Sequence, residues 1–244
     1  METNYTGIKT LETSTDSGPK HLGNLRLDNT YSRLPEIFFQ EITPKPVSDP
    51  KLIKLNRSLA KELGMDPSTV EARDLDILAG NAAPQESKQI AMVYAGHQFG
   101  NWVPRLGDGR AVLIGEVIDE SGARRDIQLK GSGPTLFSRM GDGRASVGPV
   151  IREYLVSEGM AALQIPTTRS LAMVTTGELI ARERMEPGAI LTRVASSHIR
   201  VGTFQYFYGQ KDDAAIRLLA DYAINRHYPN AGENSNPYVE LLRS

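Results

Sequence analysis

The sequence predicts an α+β fold in which a small antiparallel sheet contains one inserted helix and is followed by further helices. Short apolar runs alternate with turn residues between positions 89 and 195. One stretch of helical spacing interrupts these runs at residues 147–163. Helical spacing then returns after Ser196 and continues towards the C-terminus. The predicted order is therefore a sheet with one helix inside it, and then a helical segment.

The N-terminal part is predicted to contain a tail and one helix. Residues 1–25 are polar, rich in Thr, Gly and Ser, and show no sustained periodicity, so we expect a flexible tail with order beginning near Leu25. Residues 49–63 place Leu and Ile at helical spacing, and Asp49 and Pro50 suit the cap and the first turn. This second segment is therefore predicted to be a helix.

Five runs in the middle of the chain are predicted to be strands, namely residues 89–94, 111–118, 126–130, 171–175 and 189–195. The second and third runs are separated by the turn sequence DESGAR. A turn of this kind joins neighbouring strands, so we expect these two runs to form an antiparallel hairpin.

Three helices are predicted around and after this sheet. Residues 147–163 carry one apolar stripe, with Ser146 as the N-cap, and the stripe consists of Val147, Val150, Ile151, Tyr154, Leu155 and Ala162. Residues 202–208 and 211–227 are also helical in pattern. The last of them places Ile216, Leu219, Tyr222 and Ala223 on one face.

The composition is that of a soluble globular chain with one large or two small domains. It has 244 residues, of which 40% are hydrophobic and 23% charged, and a net charge of −1. This balance gives no overall bias towards nucleic acid or a membrane surface, and we expect neither as a partner. A basic site therefore has to be built locally, from arginines such as Arg105, Arg110, Arg124 and Arg125.

Cysteine and histidine usage excludes two further classes of site. The sequence has no cysteine, so disulfides and thiolate chemistry are excluded within it. Its four histidines lack the spacing of a metal site. No run approaches the roughly 18 apolar residues of a membrane span, and the first residues are unlike a targeting signal. The expected location is the cytoplasm.

Three glycine-containing motifs lie within about forty residues of one another: LGDGRA at 106–111, QLKGSG at 128–133 and GDGRAS at 141–146. Glycine lets backbone N–H groups approach an anion because it has no Cβ, and each arginine offers a planar set of donors that suits phosphate oxygens. The motifs therefore predict a phosphate site. A simple turn with a solvated arginine, beside an exposed lysine at a strand end, is the alternative that the spacing leaves open.

Longer blocks around these motifs resemble one family. The stretches YAGHQFGNWVPRLGDGRA, QLKGSGPTLFSRMGDGRAS and LTRVASSHIRVGTFQYF are closely similar to the selenoprotein O family of kinase-like proteins, and the resemblance runs from about residue 34 to the C-terminus. It covers the N-terminal half of the family only. It implies a protein-kinase-like (pseudokinase) small lobe, with an antiparallel sheet and one inserted helix, followed by the first helices of a truncated larger lobe.

The resemblance also implies an activity and its requirements. Members of the family bind ATP in a reversed orientation, with Mg2+ or Mn2+, and transfer AMP to Ser, Thr or Tyr hydroxyls of other proteins. A uridylyl variant of the reaction has been attached to some members. The implied function is therefore protein adenylylation, with ATP and acceptor proteins as partners.

The resemblance assigns roles to particular residues. Lys130 occupies the position of the kinase strand lysine, and Glu153 on the following helix is the glutamate that orients it. Arg193 and Arg200 match arginines that hold the reversed triphosphate, although from the residue pattern alone both could be surface arginines. The implied ATP-binding residues are Gly107, Gly109, Arg110, Lys130, Asp142, Gly143, Arg193 and Arg200.

Three other positions receive weaker assignments. Asp142 is expected on the base or ribose side of the nucleotide. His198 is expected to be a helix cap or a packed side chain, with no catalytic role. His97 is expected in a packed structural turn with Phe99 and Trp102.

The resemblance implies three parts of the chain: a flexible tail at 1–25, a kinase-like small lobe with the nucleotide-binding residues at 26–201, and the start of a helical larger lobe at 202–244. The family's catalytic aspartate and metal-binding residues follow the segment that here reads NPYVELLRS. We therefore expect no catalytic and no metal-binding residue in this chain. Loss of the larger lobe would expose apolar faces of the helices from Gly202 onward, such as Ile216, Leu219 and Tyr222, which predicts marginal stability or self-association.

Two classes of function remain open. The first is a protein adenylyltransferase whose nucleotide-binding half is this chain. The second is a non-catalytic ATP-binding fragment or interaction module, because the catalytic base is expected elsewhere and the isolated chain would be inactive. A conventional kinase is a weaker third possibility, since the GDGR loops do not have the G-x-G-x-x-G-x-V form.

Overall fold

The computed structural model describes residues 21–244. Its ten strands are β1 (Phe39–Glu41), β2 (Lys51–Leu55), β3 (Ile90–Met92), β4 (Gly96–Gln98), β5 (Asn101–Val103), β6 (Ala111–Ile118), β7 (Arg124–Lys130), β8 (Ala145–Ser146), β9 (Arg169–Ala181) and β10 (Met185–Ala195). Its six helices are α1 (Arg57–Glu62), α2 (Ala72–Leu78), α3 (Val147–Ala162), α4 (Val201–Gly209), α5 (Asp213–His227) and α6 (Pro237–Arg243). None of these helices is long and apolar enough to cross a membrane.

Eight strands form one sheet, in the order β1-β3-β6-β7-β10-β9-β2, with β8 paired to β10. All of these pairs are antiparallel, so the fold is α+β with an antiparallel sheet, as the sequence predicts. The predicted hairpin is confirmed: β6 and β7 pair from Ala111 opposite Lys130 to Ile118 opposite Arg124.

Strand β7 separates the core from the polar side of the sheet. Ile127 and Leu129 are completely buried in an apolar cluster that also includes residues of α1 and α2. Because side chains alternate along a strand, Asp126, Gln128 and Lys130 lie on the opposite face. One run of five residues therefore both anchors the sheet and supplies polar groups to its other side.

Helix α3 confirms the predicted inserted helix. Val150 and Tyr154 pack against β9 and β10 in a small apolar cluster of their own. The predicted stripe is wrong at two positions, because Leu155 is 64% exposed and Ala162 is exposed as well. Ser146 is the N-cap residue as predicted, but its side chain forms no capping hydrogen bond.

The predicted helix at residues 49–63 is wrong in its first half. Lys51–Leu55 is β2, a strand at the edge of the sheet that pairs with β9. Asn56 ends this strand and begins α1, because its N–H donates to the carbonyl of Leu171 at 2.7 Å and its side chain accepts from the Leu59 N–H at 3.2 Å. Pairing with β9 therefore outweighs the helical spacing of the leucines.

The predicted tail is too long at its C-terminal end. Leu22 is fully buried and Leu25 is 6% exposed, and both belong to the core cluster shared with α2. His21 contributes a contact to Asp74 at 3.1 Å. The rest of the prediction, for residues 1–20, lies outside the described residues.

The predicted exposure of the stripe on α5 is also wrong. Leu219 is fully buried, and Ile216 and Tyr222 pack against the same apolar cluster. The Tyr222 ring meets the Tyr31 ring edge-on at 5.7 Å, and its hydroxyl lies 2.6 Å from that of Thr30. The N-terminal segment therefore supplies the partner that α5 was expected to lack.

Strands β4 and β5 form a separate two-stranded hairpin. Phe99 at its tip is 93% exposed, and Trp102 is 43% exposed with the His97 ring 5.1 Å away. The packed turn predicted for these three residues is therefore wrong, because their apolar surface faces outwards.

Candidate functional site

One open cleft of about 810 Å³ brings the sequence-predicted residues together. All eight of them line it: Gly107, Gly109, Arg110, Lys130, Asp142, Gly143, Arg193 and Arg200. Seven of the lining residues are Arg or Lys, and only two are Asp. A chain with a net charge of −1 therefore concentrates positive charge at this one place.

Lys130 lies at the end of β7, where it meets α3. Its Nζ donates to Oε2 of Glu153, so the lysine–glutamate pair that the sequence predicts is formed. The other oxygen of the same carboxylate lies 3.5 Å from Nη1 of Arg193 on β10. One carboxylate is therefore shared between two cations.

The electrostatic environment of Lys130 follows from this sharing. Burial lowers the pKa of Lys130, and the nearby positive charge of Arg193 lowers it further, although Glu153 acts in the opposite direction. Only 21% of the lysine side chain is exposed. Lys130 is thus a partly buried cation whose charge is incompletely compensated, and an anion in the cleft would favour its protonated form.

Gln128 and Asp108 lie behind these cations. Gln128 is fully buried and accepts a hydrogen bond from Nη2 of Arg193, while its Nε2 donates to Oδ2 of Asp108 at 3.1 Å. The same carboxylate oxygen accepts from the Met92 N–H at 3.2 Å. Burial raises the pKa of Asp108, while Arg200 and Arg193 counteract this.

The glycines of the cleft have a different role from the one expected. The N–H groups of Gly107 and Asp108 donate to the carbonyls of Tyr94 and Met92, both at 2.9 Å, and that of Gly109 donates to Gly107 at 3.0 Å. These three N–H groups are therefore not directed at a ligand, which corrects the prediction that this loop presents them to a phosphate.

Close packing explains why two of these positions need glycine. Gly107 has a φ of +59°, and a Cβ there would overlap the Phe137 ring. Gly143 has a φ of +67°, and a Cβ there would overlap the backbone of Gly133 and Pro134. The glycines let two loops pack together, and the positive charge of the cleft comes from its side chains.

Arg110 and Arg200 supply the exposed positive charge. Neither forms a salt bridge with a carboxylate among residues 21–244. The Arg200 guanidinium lies over the Tyr94 ring, 4.7 Å from its centroid, which fixes its place beside the cleft. Burial and the charge of Asp108 raise the pKa of Tyr94 to about 12, so this ring stays uncharged.

Asp142 is already held by another side chain. Arg182 donates to both of its oxygens, at 2.7 and 3.0 Å, and this pairing lowers the pKa of Asp142. The expected contact with a base or ribose would therefore use a carboxylate fixed by Arg182.

Three arginines considered from the sequence do not line the cleft. Arg124 pairs with Asp28 and Glu116, and Arg125 pairs with Asp119. Arg105 lies over the Phe137 ring, 5.4 Å from its centroid. Of the four arginines named from composition, only Arg110 contributes to the positive charge of the cleft.

Sequence reasoning also missed several lining residues: Tyr94, Asp108, Arg139 and Arg182, together with Gln128 behind them. Gln128 could have been found from the sequence, because it lies two residues before Lys130 in a strand and therefore lies on the same face. Arg182 could not have been found in this way, since it contacts Asp142 from forty residues away along the chain.

The described residues do not fit a protein-held metal ion. No group of three or more Asp, Glu or His side chains within residues 21–244 is arranged to bind one. In the cleft, Asp108 is buried among N–H donors and Asp142 is held by Arg182. Mg2+ prefers several oxygen ligands in octahedral geometry, and this cleft does not offer them.

A family model described as protein adenylyltransferase SelO matches residues 21–244. This chain belongs to the SelO family. A protein nucleotidyltransferase YdiU from Rhodopseudomonas palustris is 62% identical over 217 residues, which is 88% of this chain and 44% of that protein. Another, from Alkalilimnicola ehrlichii, is 60% identical over 218 residues, which is 89% of this chain and 44% of that protein.

The SelO match contains the whole cleft as well as α4 to α6. The chain nevertheless spans less than half the length of the curated relatives it matches.

His198, inside the matched region, is 6% exposed and lies against Asp126, to which its backbone N–H donates at 2.8 Å. It is a packed side chain, one of the two roles expected from the sequence.

Proposed function

We propose that this chain is the nucleotide-binding part of a protein adenylyltransferase, in which the cleft binds ATP and the transferred group is AMP. Support comes from the SelO family, which carries the name of this activity, and from the nucleotidyltransferase relatives. On this proposal residues 26–201 correspond to a kinase-like small lobe, and residues 202–244 begin the larger lobe.

The observation that carries the proposal is the incomplete pairing of charge in the cleft. Glu153 serves both Lys130 and Arg193, while Arg110 and Arg200 have no carboxylate partner among the described residues. Positive side chains that converge without matching carboxylates favour a polyanion, and guanidinium groups suit phosphate oxygens in particular. A triphosphate is the polyanion that the family activity requires.

The proposed reaction makes definite demands on these side chains. The oxygen of an acceptor hydroxyl bonds to the α-phosphorus of ATP, the bond from that phosphorus to the β-phosphate oxygen breaks, and the hydroxyl proton passes to a base. Negative charge increases on the departing pyrophosphate. Lys130, Arg193 and Arg200 would stabilise it there, with Arg110 beside them. Magnesium or manganese would arrive with the nucleotide and neutralise further phosphate charge.

A non-catalytic nucleotide-binding role is the second candidate, and one observation favours it. The two carboxylates that line the cleft and Glu153 beside them are already engaged: Glu153 by Lys130, Asp142 by Arg182 and Asp108 by Gln128. None of these three is a free carboxylate that could serve as the base for an acceptor hydroxyl. On this reading the chain binds the nucleotide and does not transfer AMP by itself.

The two candidates differ in a transfer assay. The chain, and a fusion of the chain to the remaining part of a YdiU relative, are incubated with ATP labelled on the α-phosphate, with Mg2+ or Mn2+, and with candidate acceptor proteins. UTP with the same label is run in parallel. Mass spectrometry then looks for AMP or UMP on Ser, Thr or Tyr, and Lys130→Ala in the fusion serves as the matched control.

The transferase proposal predicts label with the fusion and its loss in Lys130→Ala. A folded fusion that binds ATP but labels no protein would contradict transfer and support the binding role. Label from the 244-residue chain alone would contradict the view that the base lies outside it. Label from UTP in preference to ATP would replace AMP by UMP as the transferred group.

A further inference from the structure

The Gln128 side chain lies between an arginine and a carboxylate, and its orientation follows from their chemistry. A guanidinium has only donors, so the amide oxygen of Gln128 has to face Arg193. The amide nitrogen is then left to donate, and it does so to Oδ2 of Asp108 at 3.1 Å. Gln128 therefore links a positive group to a negative one, with each end of the amide matched to its partner.

Arg193 depends on few contacts for its position. Its side chain is 12% exposed, and its guanidinium lies 3.5 Å from Glu153 and donates to Gln128. Its Nε is buried and has no hydrogen-bond partner among residues 21–244. Glu153 also serves Lys130, so Gln128 is the hydrogen-bond partner that Arg193 does not share with the lysine.

Asp108 connects this arrangement to the glycine loop of residues 106–111. It lies between Gly107 and Gly109, is 3% exposed, and forms no salt bridge with Arg or Lys among the described residues. Its Oδ2 accepts from the N–H of Met92 on β3 and from Gln128 on β7. A displacement of the loop would therefore withdraw the acceptor from Gln128 and disturb its hold on Arg193.

We infer that Gln128 and Asp108 are positioning residues that fix the Arg193 guanidinium for a nucleotide phosphate and couple it to the glycine loop. The inference rests on the proposed function, because that proposal gives Arg193 its phosphate. Neither residue needs to touch the nucleotide. Their effect therefore falls on the part of the ligand that Arg193 contacts, and not on the nucleoside.

The first test compares ATP with AMP in calorimetric titrations of the 244-residue chain. Gln128→Leu keeps the bulk of the side chain but removes both hydrogen bonds. We expect its ATP affinity to fall about tenfold and its AMP affinity to change less than about twofold, on the scale of a lost hydrogen bond to a charged group. A purely structural role would lower both affinities alike.

Thr192→Val is the matched control. Thr192 is next to Arg193 in the chain, is 1% exposed, and its hydroxyl has no hydrogen-bond partner among the described residues. Replacing it by an apolar side chain of similar shape removes a buried hydroxyl that makes no hydrogen bond among the described residues. Both nucleotide affinities should stay within about twofold of the unmodified chain.

The second test changes the acceptor at Asp108. Asp108→Asn removes the buried charge but keeps an oxygen that can accept from both Gln128 and the Met92 N–H, so ATP affinity should stay within about threefold. Asp108→Ala removes that acceptor, and we expect it to lower ATP affinity about tenfold and to change AMP affinity less than about twofold.

The outcomes separate the inference from the proposed function. If Arg193→Ala leaves ATP affinity unchanged, the proposed phosphate contact is wrong. If Arg193→Ala weakens ATP binding but Gln128→Leu does not, or if Asp108→Asn loses as much ATP affinity as Asp108→Ala, the positioning inference alone is overturned. Should Gln128→Leu fail to fold, the comparison of Asp108→Asn with Asp108→Ala decides, because both retain Gln128 and Asp108→Asn retains the buried hydrogen bonds.

Discussion

Two charged clusters lie at opposite ends of the same face of β7, and they differ in how completely their charges are paired. At the start of the strand, Asp126 and Glu116 share Arg226, and Arg124 pairs with Glu116 and Asp28. At the end of the strand, one carboxylate is shared between two cations, and further arginines nearby have no carboxylate partner among residues 21–244.

The difference separates a structural role from a binding role. A buried charge costs several kcal/mol unless it is paired, so the cluster around Arg226 is a closed arrangement that joins α5 to the sheet. The cleft cluster keeps surplus positive charge beside an open cavity, where an anion can pair with it. Residue types alone do not distinguish the two, because both use arginines and acids.

The largest expected effect on stability comes from removing Arg226 from the closed cluster. Arg226→Ala would leave Glu116 and Asp126 buried without their shared cation, at a cost of about 3–5 kcal/mol in the free energy of unfolding. Urea unfolding measures it. Arg200→Ala is the control, with an expected change within about 1 kcal/mol because that side chain is exposed. Similar losses in the two variants would contradict the distinction.

The next effect concerns the charge on Lys130. Because its pKa is lowered, ATP affinity should fall with rising pH before the ordinary lysine range near 10.4 is reached, since deprotonation removes a positive charge from the cleft. Glu153→Gln removes the neighbour that favours the charged form, so the midpoint should move to lower pH. In Lys130→Arg this part of the pH dependence should vanish. ATP titrations at pH values between 7 and 10 measure the affinity of each variant and the midpoint of its decrease.

A midpoint that does not move in Glu153→Gln would contradict the electrostatic account of Lys130. Retention of the same midpoint in Lys130→Arg would assign the titration to another group.

Low pH should reduce the stability of the folded chain through the histidines beside the closed cluster. Burial lowers the pKa of His198, and burial together with Arg226 lowers the pKa of His227 to about 4. Below about pH 6.5 the unfolded chain binds protons that the folded chain does not, so stability should fall as the pH falls from 7 to 5. His227→Gln should make this fall shallower than in the unmodified chain. An equal slope in the variant and in the unmodified chain, measured by thermal unfolding, would reject the assignment.

The smallest expected effect is that of the pair between Arg182 and Asp142. It is bidentate, but its side chains are 34% and 44% exposed. Arg182→Ala should therefore cost less than about 1 kcal/mol in unfolding free energy. The loss should shrink further in high salt, because exposed charges are screened. A salt-independent loss of several kcal/mol would contradict this and would show that the pair stabilises the fold in the same way as the buried pairs around Arg226.

Sequence reasoning predicted five of the eight strands of the sheet, the β6-β7 hairpin and α3, because apolar strand runs and helical patterns are strong there, and it missed β1, β2 and β8. It failed at residues 49–63, where leucines at helical spacing become β2 and α1 because β9 supplies a pairing partner. It also failed at Leu22, whose burial depends on α2, fifty residues away. Both errors come from partners distant in sequence.

The candidate site shows the same limit. The family resemblance implied the pair of Lys130 and Glu153 in advance, whereas the residue pattern alone left both open as exposed side chains. The link from Arg193 through Gln128 to Asp108 could not be predicted, since it joins three segments that only the sheet brings together. The closed cluster went unrecognised for the same reason, as Arg226 meets Asp126 from a hundred residues away.

The central claim is that the unpaired charge of the cleft binds the polyphosphate of a nucleotide. The most direct measurement is a calorimetric titration of the 244-residue chain with ATP, with AMP and with adenosine, at low and at high salt. The account predicts that ATP binds at least about tenfold more tightly than AMP, and that salt narrows this difference. Equal affinities for the three ligands, or no binding of ATP to the folded chain, would contradict it.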